Sequence, residues 1–147
     1  MDPVPHLLLT DVVALARAAG EEILDVYAGD FAVQHKDDRS PLTEADLRAH
    51  RVLVAGLERL TPGVPVISEE AIVPPLAERR EWPWLWLVDP LDGTREFVNR
   101  TGEFTVNVAL VRGTRAVLGV VHVPVQGVDY YACEGVGAFR QERGGVA

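Results

Sequence analysis

The chain has 147 residues, 48% of them hydrophobic and 24% charged, and its 14 basic and 22 acidic side chains leave a net charge of −8. That is enough chain for one domain with a real core, and the acidic balance argues against non-specific nucleic-acid binding and against an anionic membrane surface. The single cysteine, Cys133, excludes an internal disulfide or a multi-cysteine zinc site, no apolar run reaches transmembrane length, and the first residues lack a signal-peptide pattern, so a cytoplasmic protein is expected.

Residues 7–28 carry a helical stripe of Leu8, Val12, Leu15, Ala19, Ile23 and Val26, with Thr10 or Asp11 as the cap and Gly29 just past the end. Phe31, Val33 and His35 alternate as in a short strand over 31–36. A charged loop follows, and its Lys36 is a weak candidate for the wall of a site. Thr43 with Asp46 resembles a capping box opening a second helix to about Leu60, with Leu47, His50, Val54 and Leu57 facing inward and Leu53 and Leu60 widening the stripe. The plain reading of Asp46 is a capping carboxylate, which does not exclude a catalytic duty.

Val64–Ile67 reads as a short strand that runs straight into Ser68, Glu69 and Glu70. A loop or short helix spans 71–83, and Trp84–Val88 reads as a buried strand. Asp89 then leaves that strand, with Pro90 opening a helical turn that sets Asp92 on the same side as Asp89. Gly93 and Thr94 offer backbone N–H groups to an anion. After a helical turn at 95–102, the stretches 104–111, 117–125, 128–133 and 137–140 read as an antiparallel meander, with turns at Gly113-Thr114 and at 125–127. The fold class is therefore α+β: helices layered on an antiparallel sheet, in one domain over 1–147.

Carboxylates thus stand at three strand ends or helix starts: Asp46, Glu69 with Glu70, and Asp89 with Asp92. Paired acids directly after buried strands repel unless a cation lies between them. The four histidines are scattered outside these motifs, which disfavours zinc and favours Mg²⁺ or Mn²⁺. The best-fitting chemistry is hydrolysis of a phosphate ester by metal-activated water. Two other classes compete with it: a structural Ca²⁺ module, although the spacing is not that of an EF-hand, and a scaffold with an acidic surface. Cys133, in an apolar stretch, reads as a buried structural thiol.

Asp89-Pro90-Leu91-Asp92-Gly93-Thr94 resembles the first signature of the inositol monophosphatase superfamily, the lithium-sensitive Mg²⁺-dependent phosphatases. Thr43–Asp46 resembles its upstream T-x-x-D element and Ser68-Glu69-Glu70 its metal-binding Glu-Glu step. Arg95-Glu96-Phe97 and Thr101–Leu110 are most similar to the CysQ branch, whose members remove the 3′-phosphate from adenosine 3′,5′-bisphosphate. The resemblance runs from the first helix to Phe139, and it implies the N-terminal half of the sugar-phosphatase fold.

The resemblance also implies roles. Glu69, Asp89 and the carbonyl of Leu91 would hold one metal, and Asp89 with Asp92 a second. Asp46 and Thr94, assisted by Glu69, would activate the attacking water. The substrate phosphate would lie against Glu69, Leu91, Asp92 and the amides of Gly93 and Thr94, with no covalent intermediate. Inositol 1-phosphate or a sugar phosphate is the alternative substrate, and an inactive truncated unit that binds a cation or a partner is the alternative outside enzymes. The superfamily's second signature, W-D-x-A-A-G, has no counterpart in these residues. The C-terminal half is therefore expected to be absent, the second metal to bind weakly, and an apolar face to be exposed and open to self-association.

Overall fold

The computed structural model describes residues 2–29 and 40–143. The strand read over 31–36 and Lys36 lie outside them. Two long helices, α1 (Pro5–Tyr27) and α2 (Pro41–Leu60), precede β1 (Val66–Ser68), the short α3 (Leu76–Arg79), β2 (Trp84–Asp92) and α4 (Thr94–Val98). Strands β3 (Thr105–Arg112), β4 (Arg115–Val123), β5 (Val128–Cys133) and β6 (Gly137–Glu142) complete the chain. The strands form one sheet in sequence order, β1-β2-β3-β4-β5-β6. Every pairing is antiparallel except β1 with β2, which run parallel with Ser68 opposite Val88. That parallel pair is what the meander reading lacked, and it brings the carboxyl ends of β1 and β2 side by side.

Both helices pack on one face of the sheet, α2 over β1 and β2 and α1 across β3 to β5. Trp84, Trp86 and Val88 alternate into that core, where Phe97, Phe104, Leu53 and Leu57 meet them. The indole N–H of the fully buried Trp86 donates to Thr61 Oγ1 at 2.9 Å. Residues of the opposite parity look the other way, and among the described residues no helix packs on that second face. Leu87, Val121, Tyr130 and Phe139 are exposed there around a hollow of about 750 Å³. The sequence-based expectation of an open apolar face therefore agrees with the structure.

The helix ends differ from their sequence reading. Helix α1 starts at Pro5 with no side-chain cap, so Thr10 and Asp11 lie inside it. Its buried stripe is Leu9, Val12, Val13, Ala16, Ala19, Gly20 and Ile23, with Leu8, Leu15 and Val26 half-buried against the same core. In α2 the cap is Ser40, whose hydroxyl accepts from Thr43 N at 3.1 Å, with Pro41 at the first helical position. The supposed capping box is therefore absent. Asp46 sits in the second turn on the buried face with Ala45, Ala49, Leu53, Gly56 and Leu57. Asp46 belongs to the interior, not to the helix end.

The largest correction concerns β2, which does not stop at Val88. It continues through Asp92, with Asp89 opposite Asn107 and Asp92 opposite Thr105. Two steps on β3 are matched by three on β2, which is a β-bulge. Pro90 opens no helical turn. The helix begins one residue beyond the strand, with Gly93 as its N-cap in the left-handed region at φ 99°.

Candidate active site

The acidic residues meet at the carboxyl ends of β1 and β2. Parallel pairing carries Glu69, whose N–H donates to Val88 O at 3.2 Å, next to Asp89. Asp46 approaches from α2, which lies over the same two strands. Asp89 and Asp92 face the same way despite their odd spacing, because the extra residue of the bulge resets the alternation. Pro90 and Leu91 fill the bulge and are buried. The Leu91 backbone acts to lower the Asp89 carboxyl, against the larger influences that raise it.

Asp46 is only 8% exposed. Its carboxyl is pushed up to about 7, first by burial and then by the negative charges of Glu70, Asp89 and Glu69. Asp89 is likewise pushed up to about 7, by burial, by a hydrogen bond shared with the Glu69 carboxyl, and by the charges of Glu69 and Asp92. Five acids therefore act on one another across one small region.

Asp46 Oδ1 and Asp89 Oδ1 are buried and have no hydrogen-bond partner. An unpaired buried carboxylate oxygen is expensive, and a cation satisfies it. The donors are all oxygen, which suits Mg²⁺. No group of three or more His, Cys, Asp or Glu side chains among the described residues closes into a ready cage. Mg²⁺ does not need one, since it keeps several waters and takes one or two protein carboxylates. The residues present fit such an ion.

On the other side of Asp92, Gly93 makes a tight turn. A side chain there would start 3.2 Å from Glu103 O and 3.2 Å from Phe104 Cα, in a backbone conformation that favours glycine. The turn leads into α4, where Phe97 N donates to Gly93 O at 2.9 Å and the first N–H groups precede any intrahelical acceptor. Thr94 is the first helical residue and is exposed.

The structure thus brings Asp46, Glu69, Asp89, Leu91, Asp92, Gly93 and Thr94 to one edge, with Glu70 beside them. Asn107 was missed in the sequence. It faces Asp89 across β3, and its amide Nδ2 stands 3.5 Å from Asp92 Oδ2 and 3.0 Å from Thr105 Oγ1. The available signal was polar Thr105 and Asn107 alternating with Val106, Val108 and Leu110. Cys133 is buried, and burial pushes its thiol up, as befits a structural role.

Residues 6–144 match the inositol monophosphatase family. The chain is 51% identical over 140 residues to the 3′(2′),5′-bisphosphate nucleotidase CysQ of Salmonella typhimurium, covering 93% of this chain and 56% of that protein. It is 47% identical over 137 residues to the nucleotidase of the same name from Aggregatibacter actinomycetemcomitans, covering 93% and 51%. The crystal structure of CysQ from Bacteroides thetaiotaomicron superposes with a TM-score of 0.83 at 46% identity, covering 95% of this chain and 51% of that one. Mycobacterium tuberculosis SuhB superposes with a TM-score of 0.75 at 28% identity, covering 97% and 51%. The chain spans about half the length of the curated relatives it matches. With a family match over nearly all its residues and the same helix-on-sheet architecture, the chain belongs to the inositol monophosphatase family.

Proposed function

We propose that this chain carries the metal- and phosphate-binding half of a Mg²⁺-dependent 3′(2′),5′-bisphosphate nucleotidase, acting on adenosine 3′,5′-bisphosphate. The observation that carries this reading is the pair of buried, unpartnered carboxylate oxygens on Asp46 and Asp89, set beside Glu69 at the joined strand ends. The nucleotidase names of the relatives at about half identity support the substrate class. Glu69, Asp89 and the Leu91 carbonyl would hold one Mg²⁺, and Asp89 with Asp92 a second; Mn²⁺ meets the same oxygen-donor requirement. Bound there, the ions would polarise the phosphoryl oxygens and lower the pKa of water.

The chain's own residues do the rest. Asp46, whose carboxyl lies near 7, is suited to take a proton from an attacking water at neutral pH. The Thr94 hydroxyl at the start of α4 orients that water. The amides of Gly93 and Thr94 face the substrate's phosphate, and the tight turn at Gly93 lets it approach the backbone closely. Glu69 and Asp92 border the same phosphate. No thiol or serine is required as a nucleophile.

Residues 1–147 form one α+β unit in this reading, and the helix-free face is where it associates with a second copy. Among the described residues no helix is long and apolar enough to cross a membrane, and the unit is proposed to work in the cytoplasm. The test is phosphate release from adenosine 3′,5′-bisphosphate and from inositol 1-phosphate, each with Mg²⁺ and with a chelator. We expect Mg²⁺-dependent release from the bisphosphate by the chain alone or by the chain mixed with a separately expressed second half. Preference for inositol 1-phosphate would overturn the substrate assignment. No release in either format would leave an inactive cation-binding unit.

A further inference from the structure

One polar contact joins the two elements that deliver Asp46 and Glu69. His50 lies one turn after Asp46 on α2, so the two side chains share a helix face. His50 Nδ1 meets Ser68 Oγ at 2.8 Å, and Ser68 is the last residue of β1, immediately before Glu69. Ser68 is only 2% exposed. Its hydroxyl oxygen also lies 3.4 Å from Glu70 N, which donates to it.

A hydroxyl has one proton and two lone pairs. With Glu70 N–H donating to one lone pair, the hydroxyl keeps its proton and a second lone pair for His50 Nδ1, so the contact forms with either ring tautomer. The hydroxyl is thereby used from both sides: it ties the Glu69–Glu70 backbone to α2, at a point one helical turn from Asp46.

We propose that His50 and Ser68 are positioning residues for the divalent cation, fixing the separation between Glu69 on β1 and Asp46 on α2. The inference rests on the functional reading above. Glu69 and Glu70 are exposed at the end of a three-residue strand, and such an end would otherwise fray under the repulsion of five clustered acids. Groups that orient metal-binding residues from behind commonly change metal affinity by about 10- to 100-fold when removed.

The test is the half-saturating Mg²⁺ concentration of the full chain, read from the Mg²⁺-dependent rise in melting temperature and needing no turnover. Ser68→Ala and His50→Phe should each raise it about 10-fold, and the double variant should be no worse than Ser68→Ala alone, because the contact that His50→Phe removes is already gone in Ser68→Ala. Ser68→Thr, which keeps the hydroxyl, and His50→Asn, which keeps a polar atom near Nδ1, should restore most of the affinity. Asp89→Asn is the control. If it abolishes the Mg²⁺ response while Ser68→Ala and His50→Phe lower only the metal-free melting temperature, the pair is merely structural and the inference falls alone. Additive effects of the two single variants would also overturn it. If the wild-type chain shows no Mg²⁺ response at all, the functional reading fails and takes this inference with it.

Discussion

Asp89 and Asp92 point to the same face of the sheet although they are three residues apart on one strand. Asp89 pairs with Asn107 and Asp92 with Thr105, so β2 uses one residue more than β3 between them. In a regular strand that spacing would send one carboxylate into the apolar core under α2. The bulge, filled by buried Pro90 and Leu91, keeps both acids on the open side, where they repel each other.

The first prediction follows from that repulsion. Asp89→Asn removes a charge that raises Asp46 and that sits against Glu69 and Asp92. In a chelator the variant should melt above the wild type at alkaline pH, with the gap closing towards pH values where the acids are protonated. With Mg²⁺ the order should reverse, because only the wild type gains from the ion. A variant that melts lower than wild type at every pH in chelator would refute the repulsion argument.

The second prediction is the pH dependence of the metal-free chain. Asp46 and Asp89 lie near 7 in the folded state against 3.8 for the ordinary aspartate. The folded chain therefore binds more protons than the unfolded chain across that window. Stability is highest at its acid end, falls as pH rises towards about 7, by at most about 1.4 kcal/mol per pH unit for each group, and levels off above it. His122 acts oppositely. Burial holds it below its ordinary 6.5, so its contribution is complete above that pH and is lost as pH falls. Burial alone would raise Asp129, but hydrogen bonds from Arg17 and His122 hold it below 3.8, and its contribution is lost only as pH falls through its own lower value. Urea midpoints in chelator should thus decline from about pH 4 to about pH 7 and level off above, and Mg²⁺ should flatten that decline by replacing the protons. A rise in metal-free stability from pH 6 to about pH 8 would contradict the assignment.

Much of this site is legible in the sequence because acids directly after apolar runs are hard to explain by packing. Asp89, Asp92 and Glu69 could be named from that pattern, and the meander from its spaced turns. The route by which Asp92 joins Asp89 was not legible. Asp-Pro reads as a cap and first helical turn, whereas the pairing with β3 holds the segment extended and a bulge does the aligning. Asp46 was masked for a similar reason: Thr-x-x-Asp reads as a cap, yet Ser40 takes that duty and leaves Asp46 in the interior. The His50–Ser68 contact and Asn107 depend on which elements become neighbours across the fold, information that local periodicity does not hold. The α1 stripe was legible through Val12, Ala19 and Ile23, with Leu8, Leu15 and Val26 at its margin, and among what it lacked were Ala16 and Gly20, small residues that give a weak apolar signal.

The third prediction concerns Gly20. A methyl group there would start 2.6 Å from both Cδ2 and Nε2 of His122, too close for any real contact. That ring cannot retreat easily, since His122 Nδ1 is held by Asp129 at 2.6 Å and Asp129 is held by Arg17 Nε at 2.7 Å. Gly20→Ala should therefore destabilise by about 1–3 kcal/mol despite the better helix propensity of alanine. Chemical denaturation would measure it, and a stabilised variant would show that the ring is free to move.

The fourth prediction tests the buried polar pair under the core. Thr61→Val keeps the shape of the side chain but leaves the Trp86 indole N–H, 2.9 Å from Thr61 Oγ1, without an acceptor. It also removes the Thr61 hydroxyl's bond to Leu57 O at 3.0 Å, though that carbonyl keeps the backbone N–H of Thr61 at 2.9 Å. The cost should be about 1–3 kcal/mol, set by the stranded indole. Urea unfolding followed by tryptophan fluorescence reads it, and a loss below about 0.5 kcal/mol would mean that the indole finds another acceptor or water.

The last prediction concerns the helix-free face. Leu87 and Phe139 are each 44% exposed beside Val121 and Tyr130, and the apolar hollow they share runs up to Glu69 and Asp89. A contiguous apolar surface of this kind drives association. The chain should therefore sediment as a dimer at high concentration and dissociate on dilution, and Leu87→Lys should shift the balance to monomer without lowering the melting temperature of that monomer, since Leu87 contributes nothing to the core under α2. Two copies meeting there would bring their acidic edges near each other, so dimerisation should strengthen with Mg²⁺ and with salt. Dimerisation unaffected by Leu87→Lys would move the contact to another surface, such as the exposed edge strand β6.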